Sequence, residues 1–480
     1  MADTGTFIRR NREKFKLVGY FAVLVVLAGP LALFLGEAWT QAHLARLPFA
    51  ALNHFLSISL EQVSALLFGS FVGLLVLLTV DPKKRAQAIL LWFGLVVSLI
   101  GLQSIGLFLP NINFVANIVW LLAGIALGIL VGGGRRLTRF QTSEPLEFRR
   151  AATGIFYLLG VVIVVAFLEY HVQYPNLIRF TSQSVEVAAP STISVGVEQQ
   201  SILQNLVVSG LFIITLRRFV EYDSKRDFFI LGPPASGKSL FLIGAYKEAL
   251  DQEYERGGQT PMNPSSDLME MVQQLGMDTS DWIVEATARG EMKRLSFRFV
   301  SGRLFPQNIT LVGLDYAGEY LDRLPDVLTG MVENEEDRTL KSLAKHVSKA
   351  DTLVFVLDTE RFANNESLDI SAYFTILQAT DDKEVLMVAT KADILGAEFE
   401  AERGIDPQLH FEEFREYVNG KLQQNEEIRA LVQQTGSSEI HPVYYETKEA
   451  EIGDGRVPMR DSQNKVMTVG FDDFLELIGR

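Results

Sequence analysis

Six long apolar runs lie within the first 216 residues of this 480-residue chain, and they constrain its fold more than any other feature. They cover residues 17–36, 62–80, 87–109, 113–131, 152–169 and 200–216. A helix of about 20 apolar residues is long enough to cross a hydrocarbon layer of roughly 30 Å. A cleavable signal peptide is the alternative for the first run, but its apolar region would be unusually long and further runs follow. The sequence therefore predicts an all-α transmembrane bundle of six helices over residues 17–218, behind a basic tail of residues 1–16.

Basic residues flank these runs predominantly on one side, which predicts their orientation, because Lys and Arg are retained in the cytoplasm. They occur in the N-terminal tail, in the second and fourth connections and after the last run: Arg9, Arg10, Arg12, Lys14, Lys16, Lys83, Lys84, Arg85, Arg135, Arg136, Arg139, Arg149, Arg150, Arg217, Arg218, Lys225 and Arg226. The other three connections contain only Arg46 and Arg179. We therefore expect a multi-pass protein of the lipid bilayer with both termini in the cytoplasm. The last run is the weakest span, since it contains Gln204 and Asn205.

Glycines at a spacing of four residues mark two of the runs. Gly69 and Gly73 lie in the second, and Gly124 and Gly128 lie in the fourth. This spacing lets helices approach closely, so it indicates packing within the bundle and permits an oligomer formed through it. No run has an ionisable residue near its centre, which gives no sign of a conduction path. The connection 170–200 is predicted to form a short β-hairpin or to lie on the surface.

The charge of the chain divides at the end of the last run. Residues 1–226 carry 19 Lys and Arg against 12 Asp and Glu, whereas residues 227–480 carry 25 against 46. The acidic half is therefore a poor candidate for binding nucleic acid. The absence of cysteine excludes disulfides, zinc–thiolate sites and thiol nucleophiles.

Strand-length apolar runs alternate with helical patterns from Arg226 onward, which predicts an α/β domain over residues 226–480 with a sheet wrapped by helices. Its first strand, FFIL at 228–231, leads into Gly232, four further residues and then Gly237, Lys238 and Ser239. This is a phosphate-binding loop. Its backbone N–H groups surround an anion, the lysine reaches the β and γ phosphates, and the serine hydroxyl binds Mg²⁺.

Two strands follow at 294–300 and 308–315, joined by a turn too short for a helical crossover, so they are expected to pair antiparallel. The second strand ends in Asp315, with Gly318 three residues on. A carboxylate at this point can hold Mg²⁺ through water, and the glycine N–H can reach a γ phosphate.

The strand 384–389 is followed by Thr390, Lys391, Ala392 and Asp393. An aspartate here can accept hydrogen bonds from N1–H and the exocyclic amine of guanine, which adenine cannot supply. The lysine stem can cover the base. The competing interpretation is an ordinary turn in which Asp393 caps a helix.

GPPASGKS, DYAG and TKAD occur in this order and at strand ends, and together they resemble the GTPases of the TRAFAC class, related to small G proteins and translation factors. The likeness covers residues 226–480 and leaves the membrane half unmatched. It implies a P-loop NTPase fold with one antiparallel strand. GTP or GDP and Mg²⁺ would be the cofactors, with the phosphates on Gly232, Pro233, Pro234, Ala235, Ser236, Gly237, Lys238, Ser239 and Leu240. Ser239 and Asp315 would also arrange the metal, and Thr390, Lys391, Asp393 and Thr447 would contact guanine. Thr447 stands in Glu446-Thr447-Lys448, where the family usually has Ser-Ala-Lys, so this match is partial.

The same resemblance suggests the residues of the catalytic and switch segments. Thr287, with Thr279 in reserve, is the expected metal-binding threonine of the first switch. Lys238, Gly318 and Glu319 would be catalytic, although Glu319 stands where small G proteins commonly carry glutamine. Arg289 is a candidate internal arginine finger.

These features predict a membrane-anchored GTP-binding protein that hydrolyses GTP with Mg²⁺ and acts as a nucleotide-dependent switch for a cytoplasmic effector or a membrane partner. One alternative is a transport or secretion component gated by GTP, similar in plan to the ferrous iron transporter B or to the large membrane subunit of type VI secretion. In the former the nucleotide domain precedes the membrane domain, opposite to the order here. A second alternative, favoured by Glu319, is a nucleotide-binding scaffold with little turnover.

Overall fold

The computed structural model divides the chain into two compact units, residues 1–224 with 303–306 and residues 225–302 with 307–480. The structure describes residues 12–41, 46–81, 83–104, 113–134, 148–173, 178–180, 185–187, 196–256, 263–276, 293–301, 307–315, 319–330, 337–380, 383–436, 439–449, 456–462 and 464–479.

The first unit consists mainly of apolar helices. They are α1 (Arg12–Gln41), α2 (Arg46–Leu56), α3 (Leu60–Val80), α4 (Arg85–Ser104), α5 (Ile118–Val131), α6 (Arg149–His171) and α7 (Ile202–Glu221). By length and composition four stretches in the described residues could cross a membrane: Glu13–Leu35, Leu60–Val80, Arg150–His171 and Ile202–Glu221. The apolar segments Arg85–Ile100 and Ile118–Val131 are shorter. All six predicted runs thus contain a helix, and four of these helices meet the criteria for a span.

The predicted all-α character of this unit needs a correction, because four short strands follow α6. They are β1 (Val172–Gln173), β2 (Ile178–Phe180), β3 (Val185–Val187) and β4 (Gly196–Val197). Strands β2 and β3 pair antiparallel, as do β1 and β4. The β-hairpin expected in the 170–200 connection is therefore present.

Helices α3 and α5 pack backbone against backbone through the four glycines singled out above. A Cβ atom added to Gly69 would lie 2.2 Å from the carbonyl oxygen of Leu121, and one added to Gly73 would lie 2.3 Å from that of Ile125. The glycines of α5 face α3 in the same way, with 2.2 Å to the carbonyls of Leu66 and Ser70. No side chain fits between the helices at these points, so the predicted packing role of the glycines is confirmed.

A buried polar cluster ties the end of α7 to the turn between α3 and α4. Lys84 donates to the carbonyl oxygen of Tyr222 at 2.7 Å and pairs with Asp223 at 2.6 Å. Asp81 accepts from the backbone N–H of Phe148 at 2.8 Å, immediately before α6. The last residues of the helical unit are held by partners far away in sequence.

The second unit is a mixed, mostly parallel sheet covered by helices on both faces. The strands of the main sheet are β5 (Lys225–Leu231), β6 (Lys293–Ser301), β7 (Gln307–Asp315), β8 (Thr352–Asp358), β9 (Glu384–Thr390) and β10 (Ile440–Pro442). Their order is β10-β9-β8-β5-β7-β6. All neighbours are parallel except β6 and β7, which pair antiparallel over nine residues from Lys293↔Asp315 to Ser301↔Gln307, as expected from the short turn.

Helices and minor strands complete this unit. The helices are α8 (Lys238–Arg256), α9 (Ser266–Gly276), α10 (Glu319–Leu328), α11 (Arg338–Lys349), α12 (Thr359–Ala363), α13 (Ser371–Ala379), α14 (Asp393–Arg403), α15 (Phe411–Leu422), α16 (Glu426–Thr435) and α17 (Phe471–Gly479). The minor strands are β11 (Tyr444–Tyr445), β12 (Thr447–Glu449), β13 (Arg456–Pro458) and β14 (Thr468–Val469). The apolar run 440–445 is divided between β10 of the main sheet and an antiparallel pair of β11 with β14.

Alternation along β5 builds the two cores of the unit. Phe228 and Ile230 are buried under α8, α9 and α17, whereas Phe229 and Leu231 are buried under α10, α11 and the helices of the other face. The chain runs from β5 to β7 on one side and then to β8 on the other side of β5. In open α/β sheets, ligands bind beyond the carboxyl ends of the strands where the strand order reverses in this way.

Candidate functional site

The segment after β5 is a tight loop at this reversal point. Ala235 has a φ of +57° and Gly237 a φ of +79°, so the backbone reverses twice before α8 begins at Lys238. Alternation of left- and right-handed residues turns successive N–H groups towards one point, which forms a concavity for an anion. A Cβ added to Gly232 would lie 2.7 Å from the Ser236 hydroxyl and 3.0 Å from Val356, so only glycine fits there without displacement.

Lys238 is folded back into this loop. Its ammonium donates to the carbonyl oxygens of Gly232 at 2.8 Å and of Pro233 at 2.6 Å, and the residue is 7% exposed. Burial lowers the pKa of Lys238 to about 8, with the carboxylate of Asp315 opposing the shift and the guanidinium of Arg361 adding to it. A buried ammonium is therefore bound to two carbonyl oxygens of the loop.

Ser239 and Asp315 lie at the entrance of the same loop, on the first turn of α8 and at the last residue of β7. The Ser239 side chain is half-buried and makes no side-chain hydrogen bond to the residues that the structure describes. Asp315 acts electrostatically on Lys238, since its charge raises that lysine's pKa. The structure thus places two oxygen donors of the predicted metal site on neighbouring elements, because β5 and β7 are adjacent strands.

Hydroxyl groups from other elements hold the loop. The Thr390 hydroxyl lies 2.6 Å from the carbonyl oxygen of Ser236 and 3.2 Å from that of Leu357, and Thr390 is buried. The buried Tyr373 hydroxyl contacts the carbonyl oxygens of Leu231 at 3.1 Å and Val356 at 2.8 Å. Thr390, expected to contact guanine, therefore fixes the loop with its side chain. The carbonyl oxygen of Leu240 is bound in turn by the Tyr445 hydroxyl at 2.6 Å.

Lys391 lies across the end of β8. Its ammonium donates to Asp358 at 2.9 Å and to Glu360 at 2.8 Å, and its own φ is +55°. Burial alone would lower the pKa of Lys391, but the hydrogen bonds and charges of Glu360 and Asp358 together raise it. The lysine is therefore held as a cation beside the loop between β9 and α14.

Asp393 opens α14 and is the centre of a second polar group. Its Oδ2 accepts from the Thr447 hydroxyl at 3.0 Å and from Arg456 Nη1 at 3.2 Å. Burial raises the pKa of the Asp393 carboxyl, whereas the hydrogen bond from Thr447 and the charge of Arg456 oppose the shift. The partially matching Thr447 is thus brought to Asp393, 54 residues earlier in the chain.

Three residues that sequence reasoning missed belong to this site: Asp358, Arg361 and Arg456. Asp358 is buried at the carboxyl end of β8. Asp315 also ends a strand, so the sequence pattern that marked Asp315 as a candidate could have marked Asp358 too. Arg361 donates through Nη2 to the carbonyl oxygen of Pro234 at 3.0 Å. No local pattern marks Arg361 or Arg456, because their partners lie 127 and 63 residues away.

Several predicted residues lie outside the described residues. These are Thr279, Thr287 and Arg289 of the expected first switch, and Gly318. Glu319 is the first residue of α10, and only its backbone is described. The residues that the structure does bring together are Gly232–Ser239, Asp315, Thr390 and Lys391, with Asp393 and Thr447 forming the neighbouring group.

The described residues offer a loop with two left-handed backbone positions, a buried ammonium, a half-buried hydroxyl on the first turn of α8, a carboxylate at the end of β7, and a second carboxylate two residues beyond Lys391. Such a set can bind a polyanion that carries a hydrogen-bonding group at its other end. Neither the protein-family models nor the curated proteins include a match to this chain.

Proposed function

We propose that residues 226–480 form a P-loop GTPase domain that binds GTP with Mg²⁺ and hydrolyses it, and that apolar helices attach this domain to a membrane. The observation that carries the proposal is the convergence of three segments on one sheet edge. The loop Gly232–Ser239 follows β5, Asp315 ends β7, and Thr390–Asp393 follows β9. The antiparallel pair β6–β7 is also in keeping with the GTPase class that the motifs resemble.

Phosphate binding is supported by the loop. Its two left-handed residues direct N–H groups inward, and the N-terminus of the 19-residue helix α8 adds the positive end of its dipole. Lys238 stands inside the loop with its side chain oriented by two carbonyl oxygens. An anion offsets the cost of burying this ammonium, so the lysine is suited to the β and γ phosphates of a nucleotide.

The donor set fits Mg²⁺, which prefers oxygen ligands and keeps several waters. Ser239 supplies a half-buried hydroxyl without a side-chain partner among the described residues, and Asp315 supplies a carboxylate from the adjacent strand. Thr287 is the proposed third residue of this set. When bound, Mg²⁺ would neutralise charge on the phosphates. The protein groups that neutralise the remaining charge are Lys238 and the loop N–H groups.

Selectivity for guanine is assigned to Asp393. A carboxylate accepts two hydrogen bonds and donates none, which suits N1–H and the exocyclic amine of guanine. Thr447 supports this role by donating a hydrogen bond to Asp393. Lys391 lies two residues before Asp393, where its ammonium is held by Asp358. Thr390 is assigned to the loop, because its hydroxyl is bound to Ser236.

Hydrolysis is proposed to involve Gly318, whose N–H would reach the γ phosphate, and Glu319, whose carboxylate would orient the attacking water. Release of the γ phosphate would free the segments around Thr287 and Gly318, which makes the domain a switch read by an effector or membrane partner. The basic residues that flank the apolar helices support a cytoplasmic location for both termini.

The test is a competition for binding to the purified full chain in detergent, with a fluorescent GTP analogue as the probe. GTP should displace the analogue and ATP should not. In Asp393→Asn the amide N–H cannot accept from guanine, so GTP affinity should fall by about tenfold or more and xanthosine triphosphate should become the better competitor.

Ala430→Gly, an exposed change on α16 far along the chain from these motifs, serves as the control and should leave both competitions unchanged. Equal displacement by ATP and GTP from the unaltered protein would remove the assignment to GTP. Binding without release of phosphate would leave a nucleotide-binding scaffold.

A further inference from the structure

Arg361 is the one arginine in the described part of the chain whose side chain donates to the Gly232–Ser239 loop. It lies on the five-residue helix α12, which follows β8, and its Nη2 donates to the carbonyl oxygen of Pro234 at 3.0 Å. Its charge also lowers the pKa of Lys238. Two cations therefore contact carbonyl oxygens of one loop, Lys238 those of Gly232 and Pro233 and Arg361 that of Pro234.

Local structure holds the guanidinium in this position. Nη1 donates to Asp369 Oδ2 at 2.6 Å and lies 3.4 Å from the carbonyl oxygen of Ser367. Asp369 is itself fixed by the Ser367 hydroxyl at 2.7 Å and has a φ of +51°. The Ser367 hydrogen bond, followed by the effects of Arg361, lowers the pKa of Asp369 and keeps it ionised. The turn that contains Ser367 and Asp369 therefore fixes the orientation of the Arg361 side chain.

One donor of Arg361 remains available beside the loop. A guanidinium has five N–H groups, two of them on Nη2. Pro234 takes one of the Nη2 hydrogens, and among the described residues no acceptor takes the other. The side chain is 20% exposed, so it is neither sealed in the core nor solvated as an ordinary surface arginine.

We propose that Arg361 is a catalytic arginine supplied by the chain itself, which donates to the phosphate oxygens of bound GTP and stabilises the charge that develops during hydrolysis. The role rests on the proposed function. In the reaction a water oxygen forms a bond to the γ phosphorus while the bond to the β–γ bridging oxygen breaks. The electron pair of that bond stays on GDP, and the products are GDP, inorganic phosphate and one proton released to solvent. The leaving oxygen and the transferred group gain negative charge, which an adjacent guanidinium stabilises.

The alternative role for Arg361 is structural, since it also closes the turn between α12 and α13. A structural arginine would support nucleotide binding and turnover together. A catalytic arginine acts on the rate of the chemical step and leaves the affinity for nucleotide nearly unchanged.

The experiment measures both quantities on the full chain in detergent, using GTP for single-turnover hydrolysis and GDP for binding. Arg361→Ala should lower the hydrolysis rate roughly 100-fold or more, with GDP affinity changed by less than about threefold. Arg361→Lys should recover only part of the rate, because an ammonium lacks the planar fork of donors. GDP with aluminium fluoride, a mimic of the transferring phosphoryl group, should bind the unaltered protein and fail to form its complex with Arg361→Ala.

Arg429→Ala is the matched control, because Arg429 also donates to main-chain carbonyls, those of Gln423 and Gln424, but has no contact with the loop. It should hydrolyse GTP at the unaltered rate. An unaltered rate in Arg361→Ala, or a loss of GDP affinity equal to its loss of rate, would overturn the catalytic role alone. Failure of the unaltered protein to bind GTP would overturn the proposed function and this role with it.

Discussion

Glycine performs different tasks in the two units. Gly69, Gly73, Gly124 and Gly128 sit in regular helices, where the absence of a side chain lets two backbones touch. Gly237 sits in a loop, where its φ of +79° is the essential feature and its neighbours leave room for a Cβ at 3.5 Å. The helical unit therefore uses glycine for close approach, and the α/β unit uses it for a backbone conformation that other residues adopt only with strain.

The largest change in unfolding free energy is expected when the contact between α3 and α5 is disrupted. Gly124→Leu would bring a side chain to within 2.2 Å of the Leu66 carbonyl oxygen, so α3 and α5 must separate. We expect a loss of about 3 kcal/mol in unfolding free energy, measured by denaturation of the full chain in detergent and followed by far-ultraviolet circular dichroism.

Gly160→Leu is the control for that change. Gly160 also lies in an apolar helix, α6, but no atom stands within 4 Å of an added Cβ. Its effect should stay within about 0.5 kcal/mol. Equal destabilisation by both substitutions would show that the α3–α5 contact is not the reason for the sensitivity of Gly124.

The loop Gly232–Ser239 contains a buried charge on Lys238, whereas the contact between α3 and α5 is made by uncharged glycines. Burial lowers the pKa of Lys238 to about 8 in the free protein, and a bound polyphosphate would raise it. Under the proposed function only the protonated lysine would bind phosphate, so the affinity for GTP should be full below pH 8 and should fall above it, by up to about tenfold per pH unit. Titration of the full chain with GTP at pH 7, 8 and 9 measures this.

Lys238→Arg is the control for the pH dependence, because a guanidinium stays charged throughout this range. It is expected to bind GTP more weakly, with an affinity that varies less with pH. Any dependence that arises from the nucleotide itself is shared by both proteins. A flat profile for the unaltered protein would contradict the position of Lys238 as a buried cation at the phosphates.

A small effect is expected at Ala235, where the backbone of the loop is left-handed. Ala235 has a φ of +57°, a conformation that costs a non-glycine residue about 1 kcal/mol. Ala235→Gly removes this strain and should raise the unfolding free energy of the α/β unit by about 0.5 kcal/mol, after the entropy of the added glycine is subtracted.

Ala430→Gly, at an exposed position inside α16, makes the same chemical change in a helical backbone. It should lower the unfolding free energy by about 1 kcal/mol. Thermal unfolding of both variants shows whether Ala235→Gly stabilises the protein while Ala430→Gly destabilises it. If both substitutions destabilise the protein equally, Ala235 is not strained in solution.

Much of the fold was predictable because its signals are local. The six apolar runs contain helices, and the β6–β7 pair is antiparallel because only five residues separate the two strands, too few for a crossover. The apolar residues 353–357 lie inside strand β8, which extends by one polar residue at each end to Thr352 and Asp358. Periodicity and turn length act over a few residues, so they can be read directly from the chain. The short strands after α6 and the division of residues 440–445 depend on pairing partners and were not predicted in full.

The sequence alone determined the motif residues of the site and their order, because a loop such as Gly232–Ser239 carries its backbone conformation in its own glycines and its lysine. Only the tertiary structure decided how those residues are used. The order of the strands brings Thr390 to Ser236 across 154 residues and Arg361 to Pro234 across 127. Such contacts arise from sheet topology and packing, which no local pattern encodes. For that reason Thr390 holds the loop, and Arg361, which no sequence pattern marks, lowers the pKa of Lys238 through its charge.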